Sequence, residues 1–376
     1  MTLRVDRLKV LIIGSGIGGM SAAIELRKLG ATVDMIDIDP RWRVYGAGIT
    51  ITGPTLRAFK ALGIYPEIAE HGYVGHGIRV CSVDGEFIRD LETPIDPAAG
   101  VAGCGGITRP ILHKLLSAKI LASGVTVRLG VSVDQLIQDG EGVDVAFSDG
   151  TTGRYDVVVG SDGISSRTRE QIFPNAPKPE YTGQSVWRVF TPRPADIDRR
   201  HFFLGGPAKV GFTPVSNDQM YLFALERTEK EFRTPDQLLP GLTELLKDYG
   251  GPIRTIRESL TKDDGIVFRP LAAFFLPAPW HVGRVMLIGD AAHSTTPQLA
   301  SGAGIAVEDA LVLAEELAGA ESVAEAFDAF VARREERCRL VVESSIEIGR
   351  LEQAQAPAAA QTAVVERALA ILAQPI

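Results

Sequence analysis

The chain has 376 residues, enough for two domains or one large one at roughly 150 residues per domain. Its 45% hydrophobic and 23% charged residues are the proportions of an ordinary soluble globular protein and exclude disordered, collagen-like and coiled-coil chains. With 39 Lys and Arg against 47 Asp and Glu the net charge is −8, so no broad basic face is available for a nucleic-acid backbone, and an anionic ligand needs locally placed arginines.

Glycine is the one excess: 39 in 376 residues, about a tenth against roughly 7% on average, which points to tight turns or backbone pressed against a ligand. Cys81, Cys104 and Cys338 are odd in number and far apart, with no CxxC pair, which argues against a disulfide framework and for a reducing compartment. Arg4, Arg7 and Lys9 ahead of an apolar run imitate a signal peptide, but the run breaks at once into Gly14-Ser15-Gly16. No stretch of 18 apolar residues offers a membrane span, so the expected place is the cytoplasm and no membrane partner is expected.

In chain order, residues 9–37 read as a strand at 10–13, a glycine turn, an alanine-rich helix at 18–29 ended by Gly30, and a second strand at 32–36. The glycines follow Gly14-x-Gly16-x-x-Gly19 with Gly18 adjacent, and Asp37 closes the second strand about 20 residues on, as the dinucleotide fingerprint asks. Turn glycines let backbone reach a pyrophosphate, the helix N-terminus offers N–H groups to it, and the carboxylate accepts from a ribose hydroxyl. The alternative is a glycine turn in an α/β protein with no ligand. Residues 75–99 look β-rich with a turn at Asp84-Gly85, 107–123 take helical spacing, and 125–147 alternate as strands before an Asp149-Gly150 turn. A further apolar strand at 157–159 runs into Gly160-Ser161-Asp162-Gly163, and 181–226 alternate in short runs that suggest a second sheet. A short helix follows at 236–250, a strand at 284–288 ends at Gly289-Asp290, and a loop leads into a helix at about 304–317. The remainder beyond Ala320 is helical and amphipathic, interrupted by Pro357.

Three strand ends thus carry glycine with or near an acid. Here the sequence resembles the single-component (group A) flavoprotein aromatic hydroxylases, the family of 4-hydroxybenzoate, salicylate and FAD-dependent urate hydroxylases, over roughly residues 9–345. The strongest segment is Gly289-Asp290-Ala291-Ala292-His293-Ser294-Thr295-Thr296-Pro297, followed by Gly302-Ala303 and Glu308-Asp309-Ala310, with Trp280 and Gly283-Arg284 on the approach. The resemblance implies tightly bound FAD, contacted by Gly14, Ser15, Gly16, Ile17, Gly18, Gly19, Asp37, Gly48 and Val133 as well as by Gly289, Asp290 and Pro297. It implies that Asp290 bonds the ribityl chain and that the loop through Gly302, Ala303 and Gly304 aims helix N–H groups at the flavin pyrimidine, where they stabilise the reduced anion. Arg43, ahead of Gly46-Ala47-Gly48, and Arg109, in Thr108-Arg109-Pro110, match arginines near the FAD phosphates and adenosine, and Asp162-Gly163 with Arg169 matches an element shared between FAD and NAD(P)H. By their residue types alone, Arg43 and Arg109 also read as surface arginines, and Asp162 and Asp290 as caps of the segments that follow. His293 reads as structural, because the family carries it in members with unrelated substrates. His71, His76, His113, His201 and His281 show neither HxH nor HExxH spacing, so no metal site is expected.

By the same resemblance NAD(P)H reduces FAD, O₂ adds at flavin C4a, and the resulting hydroperoxide passes one oxygen to an electron-rich aromatic or heteroaromatic ring. Only one dinucleotide fingerprint exists, so NAD(P)H is expected as a transient donor. Candidate substrate contacts are Tyr221, Lys209 and Gln298, which stand where the urate hydroxylases carry tyrosine, arginine and aspartate. Lys for Arg loses the bidentate fork and Gln for Asp removes a charge, which speaks against urate. Thr50 stands where the pyridine-acid hydroxylases have histidine, and Lys209 then suits a carboxylate or phenolate, or is a solvated lysine. Trp187-Arg188 matches a family pair, with Arg188 read as structural.

The expected architecture is α/β: a Rossmann-type FAD-binding domain from 1–74, 100–179 and 262–350, an inserted β-sheet substrate domain from 75–99 and 180–261, and a C-terminal helical tail at 351–376. Rival readings are an FAD-dependent halogenase, against which Trp42, Trp187 and Trp280 stand apart with no WxWxIP segment, and a non-catalytic flavin-binding redox protein. The sequence leaves monomer and homodimer both open.

Overall fold

The computed structural model describes residues 2–44, 46–95 and 97–376. Its largest parallel sheet has the order His281–Val282, Val285–Leu287, Val157–Gly160, Lys9–Ile13, Thr32–Asp37, Thr126–Leu129. Neighbours run parallel except the edge pair of His281–Val282 with Val285–Leu287. The inner strands are buried on both faces, which is why they read as unbroken Val, Leu and Ile rather than as alternation. Ile13 lies beside Ile36 on one side and Gly160 on the other, so the chain order reverses across the central strand. Such a reversal gathers the carboxyl ends of several strands at one crevice. Gly160 beside Leu287 brings Gly289-Asp290 to the same place.

The second large sheet has the order Val267–Ala273, Glu180–Pro192, Gln219–Arg227, Lys209–Pro214, Arg200–Leu204, Ile78–Ser82, Phe87–Leu91. Side chains alternate faces along each strand, and paired residues share a face. One face carries Trp187, Val189, Leu222, Ala224, Val210, Phe212 and Phe203, which form a core with the helices Pro235–Leu245 and Gly251–Ser259. The other carries Arg188, Phe190, Tyr221, Phe223, Lys209 and Arg200, a face far too polar for packed core, turned toward the crevice of the first sheet.

Two expectations about organisation change here. Val267–Ala273, assigned from the sequence to the nucleotide layer, hydrogen-bonds to Glu180–Pro192 and is the edge strand of the second sheet; its alternating burial pattern is that of a half-buried antiparallel strand. The boundary at 350 falls inside one continuous helix, Val323–Gln353, because the 3.6-residue apolar spacing runs through it without a break, and a second helix, Ala358–Leu372, begins after Pro357.

The long helix is tied to Gly302–Gly319 by buried charge. Fully buried Arg334 donates to Asp309 Oδ1 and to Glu308 Oε2, both at 2.8 Å, while Arg337 donates to both Glu308 oxygens at 2.8 Å and to Leu372 O at 2.7 Å. Asp309 Oδ2 in turn accepts from the Gly289 N–H at 2.8 Å and from His293 Nε2 at 2.6 Å. Burial pushes the Asp309 carboxyl up, but His293 and Arg334 outweigh it and hold the group at about 2 against an ordinary 3.8. A carboxyl depressed on folding stabilises the native state above its unfolded value and loses that contribution as pH falls from about 4 toward 2. Breaking the network by Glu308→Ala leaves two arginines short of a buried carboxylate, and the expected cost is about 3–5 kcal/mol. Urea unfolding of the flavin-loaded protein checks this, and an unchanged midpoint would remove the network as an anchor.

Candidate active site

The glycines of the first turn divide their work. Gly14 has φ +98° and a Cβ there would stand 2.4 Å from Ser161 O, so it makes the turn against the neighbouring strand. Gly19 would place a Cβ 2.0 Å from Gly14 O and serves close packing of helix on strand. Gly16 has nothing within 4 Å of its would-be Cβ and faces open space. It is also the N-cap of Ile17–Lys28 with no side-chain cap, and Ser301 at the start of Gly302–Gly319 likewise provides no side-chain cap. Two helix N-termini with uncapped N–H groups therefore open on one cavity of about 370 Å³, lined by Gly16, Ile17 and Gly18 on one side and Ser301, Gly302 and Ala303 on the other.

Gly48, Arg109, Gly289, Asp290 and Pro297 line the same cavity. Asp290 lines that cavity; desolvation by its surroundings pushes its carboxyl up, against the pull of His293 and Arg109. Burial lowers Arg109, against Asp290 and Tyr221. An anionic diphosphate joined to a planar group fits this donor set: uncapped amides, a glycine with room before it, and a desolvated guanidinium.

Other expected flavin contacts lie outside the lining of this cavity. Asp37 accepts from Ser15 N at 2.9 Å, Ser15 Oγ at 2.5 Å and Asp39 N at 2.8 Å, so it orders the glycine turn and keeps acceptor capacity to spare. Asp162 takes the capping alternative, accepting from Ser166 Oγ at 2.5 Å and from Thr168 N and Oγ1 at 3.0 Å. Arg43 pairs with Asp39 at 2.7 Å. The Val133 side chain packs in the core beside Val145 and Phe147, and a Cβ on Gly304 would meet Thr55 Oγ1 at 2.2 Å, so that glycine brings two helices together. Arg169 is buried on the carbonyls of Ala291 and Ile164. His293, Asp309 and Cys338 offer ligand-type atoms within 4.8 Å of one another, but the Arg334 guanidinium, 2.8 Å from Asp309 and 3.5 Å from Cys338 Sγ, brings positive charge to that cluster.

On the sheet side, Tyr221 OH bonds Thr50 Oγ1 at 2.5 Å, and Thr50 bonds Thr213 at 3.0 Å. Gly48 is tied to this chain: a Cβ there would stand 2.3 Å from Tyr221 Cδ1. Lys209 and Gln298 both line the cavity, but neither is free. Lys209 donates to Glu352 Oε1 at 2.6 Å, and Gln298 Nε2 donates to Gln184 Oε1 at 2.9 Å, which leaves the buried Gln298 Oε1 without a partner. Glu352 was invisible from the sequence because it arrives from the far end of the long helix. Arg188, read as structural, instead lines the cavity, as does Arg200, which sequence reasoning passed over. The available signal for both was strand alternation, since each lies two residues from an aromatic on the cavity face.

A match to the FAD binding domain family spans residues 7–345. The chain belongs to that family. It is 31% identical over 360 residues to the 2-heptyl-3-hydroxy-4(1H)-quinolone synthase of Pseudomonas aeruginosa, covering 93% of this chain and 91% of that protein. It is 30% identical over 319 residues to the 3-amino-4-hydroxybenzoate 2-monooxygenase of Streptomyces cremeus, covering 82% and 78%. The solved HpxO of Klebsiella pneumoniae, complexed with FAD and uric acid, superposes with a TM-score of 0.85 at 24% identity over 96% of this chain and 93% of that one, and so shares the fold. The protein is an FAD-binding oxidoreductase of the flavoprotein monooxygenase class.

The two glycines of one motif then separate fold from cofactor. Gly16→Ala adds its methyl to open space, so stability stays within about 0.5 kcal/mol while FAD retention falls. Gly19→Ala drives a methyl into backbone and costs about 1–3 kcal/mol. The flavin-to-protein absorbance ratio and thermal unfolding of both variants test the division; full flavin in Gly16→Ala would end it.

Proposed function

We propose that this flavoprotein uses NAD(P)H and O₂ to hydroxylate a small aromatic or heteroaromatic molecule. The supporting observation is that a single cavity joins two uncapped helix N-termini to a sheet face bearing Tyr221, Phe223 and three cationic side chains, Arg188, Arg200 and Lys209. FAD, when bound, would supply the redox chemistry: two electrons from NAD(P)H and one O₂, of which one oxygen atom enters the ring and the other leaves as water.

The chain's own residues bind and orient. The N–H groups at Gly16–Gly18 and the Arg109 guanidinium would hold the diphosphate, Asp290 would accept from the ribityl hydroxyls, and the helix N-terminus at Gly302 and Ala303, which lines the same cavity, would lend its positive end to the flavin ring. Pro297 and Gly48 shape the walls beside the ring system. Tyr221 Oη, fixed by Thr50 and Thr213, holds the proton of a substrate hydroxyl or ring nitrogen, and Phe223, Val186, Leu225 and Leu271 exclude water. NAD(P)H visits without a second Rossmann unit. Among the described residues no helix is long and apolar enough to cross a membrane.

NADH and NADPH oxidation by the FAD-loaded protein, measured with peroxide against phenolic acids, hydroxypyridines, quinolones and purines, tests the reading. A hydroxylase shows ring-stimulated oxidation with little peroxide and stoichiometric product; halide-dependent product indicates a halogenase, and no stimulation by any ring indicates a non-catalytic binder. Asp290→Ala purifies with little flavin, and retention of the parental amount would remove Asp290 from the cofactor site. Tyr221→Phe raises peroxide release at least several-fold with the true substrate; unchanged coupling would remove Tyr221 from the chemistry.

A further inference from the structure

Beside Pro297 a chain of polar groups takes all its directions from one carboxylate. The Glu352 side chain is buried, and a carboxylate offers acceptors only. Its Oε1 accepts from Lys209 Nζ at 2.6 Å, and its Oε2 accepts from Gln184 Nε2 at 3.2 Å and from Gln298 Nε2 at 3.4 Å. Both amides must therefore turn their nitrogens to Glu352. The Gln184 oxygen is then left to accept from Gln298 Nε2 at 2.9 Å, so that nitrogen has an acceptor for each of its two hydrogens. At the end of the chain the buried Gln298 Oε1 has no partner.

What lies on either side of Gln298 gives the direction of that oxygen. Gln298 lines the cavity, whereas among the described residues none of the long helix Val323–Gln353 does, so Gln298 stands between the two. A Cβ on Gly349 of that helix would stand 2.9 Å from Gln184 Oε1, 3.2 Å from Gln298 Nε2 and 3.8 Å from Gln298 Cδ. The nitrogen is thus the end of the amide seated on the helix, and the oxygen is the end turned from it, on the cavity side. A buried acceptor without a donor is costly, and a ligand in the cavity relieves that cost. Resting on the hydroxylase reading above, we infer that Gln298 Oε1 is the acceptor for an N–H or O–H donor on the substrate ring, and that Glu352 is a positioning residue that keeps the amide in this sense. A glutamine can present either end to a ligand, and the acceptor-only carboxylate removes the choice. A ring whose donor is capped by a methyl group leaves Oε1 unpaired, and a site built to bond a donor rejects such an analogue strongly.

Matched rings test this on the FAD-loaded protein, each titrated by its perturbation of the flavin absorbance: 4(1H)-quinolone against 1-methyl-4-quinolone, 2-pyridone against 1-methyl-2-pyridone, and 4-hydroxybenzonitrile against 4-methoxybenzonitrile. The donor of at least one pair should bind about ten-fold or more tighter than its methylated partner, and the pair that responds tells a ring N–H from a hydroxyl. Gln298→Met keeps the length of the side chain and removes the acceptor, so the two members of that pair should then bind within about two-fold of each other. Glu352→Gln can donate as well as accept, which frees Gln298 to turn its nitrogen to the cavity, and the ratio should fall by about three-fold or more. A merely structural loss in that variant weakens both members alike and leaves the ratio where it was. Equal binding within every pair, no binding by any donor, or a parental ratio in Gln298→Met would each overturn the acceptor site, and a parental ratio in Glu352→Gln would remove Glu352 as its positioning residue. Because binding is read without turnover, product formed as readily from methylated rings as from their parents would sink the inference and leave the function standing. Donor-selective binding with no product would sink the function and leave the acceptor site.

Discussion

The Asp309 carboxylate is the point on which the site depends. One oxygen accepts the Gly289 N–H and the His293 imidazole, and the other accepts from Arg334 on the long helix. Gly289 has φ +58°, a left-handed turn that glycine adopts without strain, and the hydrogen bond from its N–H holds that turn so that Asp290 points into the cavity. Burial alone would lower His293, but Cys338 and Asp309 raise it well above its ordinary value. The helix that receives Arg334 near its middle begins at Gly302, and its N-terminus, without a side-chain cap, lines the cavity. A single carboxylate therefore couples the orientation of the acidic turn to that of a helix dipole.

Arginine 337 and Glu308 extend this coupling to the C-terminal helices, and Glu352 at the far end of the long helix continues it to Lys209. The two walls of the cavity, one from each sheet, are thus held at a set distance by charge pairs on one rigid helix. Such pairs are modest contributors to net stability, since desolvation offsets much of their attraction. Their value here is directional, because a guanidinium accepts few alternative placements.

The second sheet shows how a period of two builds a site. Alternate residues of four strands form an apolar core on one face, and the residues between them supply a tyrosine, three phenylalanines and three cations on the other. The alternation was legible from the sequence, but the strand order that brings Arg188 and Arg200 to one cavity was not, because pairing between segments far apart in the chain is decided by tertiary packing. For the same reason the edge strand Val267–Ala273 was assigned to the wrong layer. Arg43, Asp37 and Asp162 carried the right residue types at the right spacing, and their side chains bond to local partners outside the lining of the cavity.

By itself the amino-acid sequence determined the first βαβ unit, the glycine turn, the acidic turn at Gly289-Asp290 and through them the flavoprotein family, because these depend on local backbone conformations that only glycine, proline and short-range periodicity encode. Tertiary structure alone decided which cations are already neutralised. Lys209 meets its counter-charge 143 residues away in Glu352, while Arg188 and Arg200 meet none among the described residues. Charge in a desolvated cavity is a property of what lies across the space, and residue type carries no record of that neighbour.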